Sequence, residues 1–205
     1  MTRQRFLSVA ACAAVMACGG NSYHDELAPP RFPLVQYGSV GLVFFSIENA
    51  KGSLQDFATH RFEESILGAQ PGFEVREFAL ADSAQALAGG AGGAHPMPVV
   101  FLGHLKISNV KPSGGLIALA IPHIEATVTA ELSVWLVSTT TGGVLWRSSA
   151  ATTEKIGDLE IVSGIPVFSA RDPNDAYGQM VSHLVRTVTY DFRSTWVTVR
   201  DAPHP

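Results

Sequence analysis

Seven histidines (His24, His60, His95, His104, His123, His183 and His204) are the first candidates for chemistry, since imidazole serves both as metal ligand and as general base. Their spacing matches no standard ligand pattern: there is no H-E-x-x-H and no Cys/His cluster. His60 and Glu63 stand three residues apart in a helical pattern, a spacing used by bundle metal sites when a second such pair projects from another helix. No second pair is visible, so both are expected to face water, and no metal is expected. Nucleophilic catalysis fares no better. A G-x-S-x-G elbow is missing. Thr152-Thr153-Glu154-Lys155 has the spacing of S-x-x-K, but with Thr and inside a strand pattern. The acids Glu63 and Glu64 sit together on a helix and read as solvated. Gly89-Gly90-Ala91-Gly92-Gly93 lacks the Lys-Ser/Thr of a phosphate-binding loop, so it reads as a flexible connection. The chain is therefore expected to be non-enzymatic, with no cofactor.

One residue does carry a chemical expectation. Arg3 and Arg5 precede an apolar run from Phe6 to Ala17, and Cys18 follows the small residue Ala17. A basic start, a short apolar core and small residues at the cut make a secretory signal peptide. The run is too short for a bilayer-spanning helix, which needs about 20 residues. A cysteine just after the small residue resembles the lipobox of bacterial lipoproteins. That resemblance implies cleavage before Cys18, three acyl chains on this residue and firm membrane attachment; plain secretion with a chance cysteine is the alternative. Cleavage before Cys12 instead would leave an apolar core of about six residues, below the usual range. Gly19 rather than Asp after the cysteine implies, by the same resemblance, the outer membrane, with the domain facing the periplasm.

The full chain carries 14 basic and 18 acidic residues, a net charge of −4. Removing Arg3 and Arg5 with residues 1–17 takes this to −6. An acidic balance argues against a nucleic-acid partner. Residues 18–38 read as the lipidated cysteine and a tether rich in Gly, Pro, Asn and charge, from which Phe32, Leu34 and Tyr37 are able to pack on a domain. As a flexible coil such a segment reaches about 25 Å. Residues 39–199 suit one domain and 200–205 a tail.

Within that domain the apolar run Gly41–Ile47 predicts a buried strand. Ser53, with Asp56 three residues on, opens a helix carrying the stripe Leu54, Phe57, Ala58, Phe62, Ile66 and Leu67. Phe73–Phe78 predicts a second strand, Asp82 caps a short helix over Ala84–Ala88, and Val99–Val110 predicts a third strand. From Glu125 to Val137 apolar and polar residues alternate strictly, the mark of a long half-buried strand. Thr139–Gly143 then turns into a strand from Val144 to about Glu154, giving a hairpin whose arms hold Trp135 and Trp146. Those tryptophans are expected to pair across the strands or enter the core, with a partner-binding patch as the alternative. Asp172-Pro173 starts a last helix on which Ala176, Met180, Leu184, Val188 and Phe192 recur every four residues. The order predicts an α/β domain: a mixed β-sheet with a long antiparallel hairpin and flanking helices.

Three strings resemble a group of bacterial envelope lipoproteins: the strand Gly41–Ile47 with Glu48-Asn49 after it, Val99–Ile107 (VVFLGHLKI), and Thr141-Gly142-Gly143-Val144-Leu145-Trp146-Arg147 after the alternating strand. The group includes the curli-secretion lipoprotein, the lipoproteins that activate penicillin-binding proteins, and the amino-terminal domain of the Tol translocation protein. The resemblance covers most of residues 40–195. It implies a non-enzymatic, lipid-anchored periplasmic module that binds an envelope protein or forms a homo-oligomer, in peptidoglycan-synthase regulation or in an export or assembly complex. The curli-secretion relatives build a pore from two hairpins per subunit, and a membrane strand needs about 9–11 residues. Ser113–His123 spans eleven residues and 156–171 is short and shows no alternation, so no pore hairpin is expected unless adjoining strands extend into the membrane. The alternative function is a secreted small-ligand binder or an enzyme with an unrecognised site.

Overall fold

A computed structural model describes residues 23–50, 53–88, 97–108, 111–117, 121–162, 165–170 and 173–200. Cys18, Gly89–Gly93, His95 and His204 lie outside the described residues. The strands are β1 (Tyr23–Ala28), β2 (Ser39–Val43), β3 (Ser46–Glu48), β4 (Glu74–Phe78), β5 (Val99–Ile107), β6 (Lys111–Ile117), β7 (Ile121–Ser138), β8 (Val144–Val162), β9 (Ile165–Ala170) and β10 (Thr195–Arg200). The helices are α1 (Leu54–Ala69), α2 (Ser83–Leu87) and α3 (Pro173–Val188).

Two compact units result. One holds β1 and most of β10, which form a two-stranded sheet in which the Thr198 hydroxyl donates to Asp25 Oδ1 at 2.8 Å. The other spans Pro29–Thr195 and carries an eight-stranded sheet in the order β4-β2-β5-β7-β8-β9, with β3 on β5 and β6 on β7. β2 is parallel to β4 and β5, while β5, β7, β8 and β9 run antiparallel, so the mixed α/β sheet with a long hairpin is observed. The segment read as a tether is more ordered than its composition implies. Tyr23–Ala28 is a strand, and Leu34 is fully buried, its N–H donating to Gln70 Oε1 at 2.7 Å.

The run expected as one strand, Gly41–Ile47, divides into β2 and β3. The Phe45 N–H leaves the sheet and donates to the Thr59 hydroxyl of α1 at 3.0 Å. The Phe45 ring then lies against Gly103 of β5 so closely that any side chain there would collide with it. From Phe45 a run of aromatic contacts passes through Phe62 and Phe101 to Phe192 and Trp146. This is the centre of the core, between the sheet and helices α1 and α3.

β7 fulfils the alternation: Val128, Ala130, Leu132, Val134 and Leu136 are all buried. The tryptophans do not pair across the hairpin. Leu136 stands opposite Trp146 and Trp135 opposite Arg147, which puts the two rings on opposite faces. Trp146 is buried, its Nε1–H donating to Asp191 Oδ2 at 3.1 Å. Ser53 occupies the N-cap of α1 without a side-chain capping bond. α3 stops at Val188, where the hydroxyl of the next residue, Thr189, donates to the Val185 carbonyl at 2.7 Å. Phe192 follows in the separate turn Tyr190–Phe192.

β7 and β8 are longer than the sequence pattern implies, 18 and 19 residues. At about 3.3 Å per residue, each runs about 60 Å. β5 pairs with the half of β7 from Ala130 to Ser138, and β6 with the half from Ile121 to Thr127. The sheet thus continues past its helix-covered body as a four-stranded antiparallel ribbon, β6-β7-β8-β9.

Candidate functional site

The ribbon is built from two hairpins that the sequence analysis did not expect. β7 begins at Ile121, inside the stretch judged too short, and β8 runs on to Val162. A β-bulge between Ala126 and Thr127 marks the junction with the body of the sheet. Beyond it, each rung crosses four strands. One rung is Gly114–Ile124–Leu159–Phe168, and the next is Ser113–Glu125–Asp158–Ser169.

Strand alternation therefore sorts the ribbon residues into two sets. One set is Pro112, Gly114 and Leu116; Pro122, Ile124 and Ala126; Gly157, Leu159 and Ile161; and Pro166, Phe168 and Ala170. None of these twelve is polar. On β7 these register positions alternate in phase with Val128, Ala130 and Leu132, which are buried. The other set is mixed: it holds Lys111, Ser113, His123, Glu125, Asp158, Glu160 and Ser169, and also Ile117, Ile121, Val162, Ile165 and Val167 toward the far end of the ribbon. α1 and α3 pack on β5, β7 and β8, whereas β6 and β9 have their main contacts with β7 and β8 alone. Among the described residues the outer edges of β6 and β9 have no strand partner. A strand edge without a partner is a place where a further strand can add.

A second feature lies between α1 and α3. A groove of ≈ 760 Å³ is lined by Arg61, Ser65, Ser182, His183, Arg186 and Arg193, among others. Arg193 donates to the hydroxyls of Ser65 at 2.8 Å and Thr189 at 2.9 Å. Burial, and then the neighbouring Arg186, lower its pKa. Arg61 is matched by Glu64 at 2.8 Å, but among the described residues no carboxylate pairs with Arg186 or Arg193. Two guanidinium groups close together in a recess suit an anion.

The remaining sequence candidates are dispersed. His60 and Glu63 lie one turn apart on α1, beside Glu77 of β4. Burial, and then Glu77, raise the pKa of Glu63 above the ordinary carboxylate value. His104 accepts or donates at Nδ1 with the Ser46 hydroxyl, 2.8 Å, and its Nε2 faces Glu48 at 3.4 Å. Glu48 also meets Lys106 at 3.2 Å. His24 is on β1, His123 on β7 and His183 at the groove. Thr152 and Lys155 lie within β8. Sequence reasoning missed Glu77, Arg186 and Arg193. Arg186 lies on α3 and Arg193 follows the separate turn Tyr190–Phe192, so neither their meeting nor that of Glu77 with His60 has a signal without the fold.

No protein-family model matches the chain, and no curated protein matches it. Solved structures similar to it include bacterial lipoproteins. The PelC dodecamer from Paraburkholderia phytofirmans shares 12% identity over 85% of this chain and 100% of that one, with a TM-score of 0.45. A homologue of the neuraminyllactose-binding hemagglutinin from Helicobacter pylori shares 14% over 77% and 82%, TM-score 0.46. Lipoprotein GNA1162 from Neisseria meningitidis shares 15% over 73% and 96%, TM-score 0.41. Among the described residues no helix is long and apolar enough to cross a membrane.

Proposed function

We propose that this chain is a non-enzymatic lipoprotein, anchored to the outer membrane through Cys18, that assembles by its β6–β9 ribbon into an envelope export or assembly complex. The observation that carries the reading is the β6–β9 ribbon itself, with twelve non-polar positions in one register set and, among the described residues, no strand partner on its outer edges. Exposed edges that pair with further strands give a repeating, edge-to-edge assembly, and copies of the same chain are the simplest supply. Anchoring on one membrane raises the effective concentration of copies and so supports a weak edge contact. This favours assembly over peptidoglycan-synthase regulation, which needs no open edges. The test is the size of the detergent-extracted native particle. A discrete oligomer supports the reading, and a monomer with no envelope protein attached contradicts it.

One geometry for the ribbon sets its non-polar register set against lipid, with the set that holds His123, Glu125, Asp158 and Glu160 turned inward. The paired lengths of seven residues in β6 and six in β9 fall short of the usual 9–11 of a membrane strand. Protease protection of the ribbon in intact outer membranes separates insertion from docking on another protein. A second reading, binding of a small anionic ligand, rests on the groove at Arg186 and Arg193. Thermal stabilisation of wild type by millimolar phosphate, lost in Arg186→Ala, supports it. No shift with phosphate, sulfate or carboxylates contradicts it.

A further inference from the structure

We propose that His60, Glu63 and Glu77 form a binding site for a divalent transition-metal ion, with Zn²⁺ the best match. The sequence offers His60 and Glu63 as an i,i+3 pair without a counterpart. The fold supplies the missing ligand from a strand rather than a second helix. The crossover from β2 through α1 to β4 brings the exposed side of α1 over the end of β4, where Glu77 stands. His60 Nδ1 lies 3.1 Å from Glu77 Oε1 and 3.9 Å from Glu63 Oε2. One ligand atom from each of the three lies within 4.8 Å of the other two.

That spacing is close to what a tetrahedral ion demands. Zn–N and Zn–O bonds of about 2.0–2.2 Å set ligand atoms about 3.4 Å apart. The imidazole separates this cluster from an ordinary patch of surface acids, because one nitrogen and two carboxylate oxygens suit zinc over calcium or magnesium, which take oxygen alone. The Phe44 ring meets the His60 ring edge-on at 5.6 Å between centroids and limits its rotation. Two carboxylates facing one imidazole leave a net negative charge even when the ring is protonated, and a dication removes that imbalance. Three protein ligands leave a fourth position for water.

The test is calorimetric titration of Zn²⁺ into the full mature chain, purified without a histidine tag and carrying Cys18→Ser so that no thiol competes. The expected result is one ion per chain, weakened at least tenfold in His60→Ala and in Glu77→Gln and unchanged in Glu64→Gln. All four proteins are compared by thermal unfolding without metal, so a folding defect is recognised. Glu63→Gln, the smallest change to the cluster, is the fallback if either variant unfolds. Co²⁺ in place of zinc adds a visible absorption band that must vanish with His60→Ala. Absence of Zn²⁺ binding, or binding of equal strength in His60→Ala or Glu77→Gln, overturns the proposal.

Discussion

Ile124 of β7 stands directly opposite Leu159 of β8, beyond the bulge that ends the helix-covered part of the sheet. This pair joins Gly114 on one side and Phe168 on the other in a rung of four residues without a polar group. In a water-exposed ribbon such a rung costs free energy, at about 25 cal/mol per Å² of apolar surface left uncovered. A partner or a lipid phase removes that cost. Leu159→Asp and Phe168→Asp are therefore expected to abolish the native oligomer while leaving the domain folded. Glu160→Gln, one residue away in the other register set, is expected to leave it intact. Native electrophoresis of detergent extracts, with circular dichroism as the folding control, reads both.

Gly103 is the glycine of the VVFLGHLKI string, and the ring of Phe45 occupies the space of its absent side chain. Gly103→Ala must displace Phe45 from its tilted ring contact with Phe62, whose centroid is 5.3 Å away. Overpacking of this kind costs about 1–3 kcal/mol. Adding Phe45→Leu relieves the clash, so the double variant is expected to lose less than the sum of the two single losses. Chemical denaturation of the three variants checks this.

Gln70 is buried and makes three hydrogen bonds: it accepts from the Leu34 N–H, and its Nε2 donates to the carbonyls of Phe32 at 2.8 Å and Phe192 at 2.9 Å. It ties the segment before β2 to the end of α1 and to the turn after α3. Gln70→Leu leaves those backbone groups buried without partners and is expected to cost about 2–4 kcal/mol. The same substitution is expected to expose the peptide bonds around Leu34 to proteolysis first, visible by mass spectrometry of a brief digest.

Glu48 has a pKa held below the ordinary carboxylate value, chiefly by its hydrogen bond with Lys106 and, less strongly, by His104. A depressed folded-state pKa adds stability above the unfolded pKa, and that stability disappears as pH falls through the folded value. The pair is exposed, so the effect is small and salt-sensitive. Glu48→Gln is expected to lower Tm slightly at neutral pH and to match wild type in strong acid. A persisting difference in acid would contradict the assignment.

The body of the fold was legible because its signals are strong and local. The alternation of Val128 to Leu136 and the stripe of Phe62 and Ile66 on α1 lead directly to core positions. The ribbon was not legible. Gly157, Pro166 and Gly114 weaken the apolar signal within each strand, and the pattern emerges only when four strands are read in register. The short edge strand β1 was hidden by its charge and the prolines after it, since its pairing with β10 is nonlocal. The His60 cluster needed Glu77, fourteen residues beyond Glu63, which a β-α-β crossover alone makes adjacent. Chemistry that depends on local spacing is visible in a sequence, and chemistry assembled by topology is not.

The most direct test is disulfide crosslinking between the two open edges in native membranes. Ser113 of β6 and Ser169 of β9 lie on the same rung, at opposite edges of the ribbon. Cysteines at both positions, with Lys111 and Val167 as alternates to allow a two-residue stagger, join neighbouring copies if edge meets edge. The account predicts a ladder of covalent oligomers in the outer-membrane fraction, absent when either cysteine is omitted and strongly reduced by Cys18→Ala, which releases the chain from the membrane. Monomers throughout the panel, or a membrane fraction unaltered by Cys18→Ala, would contradict it.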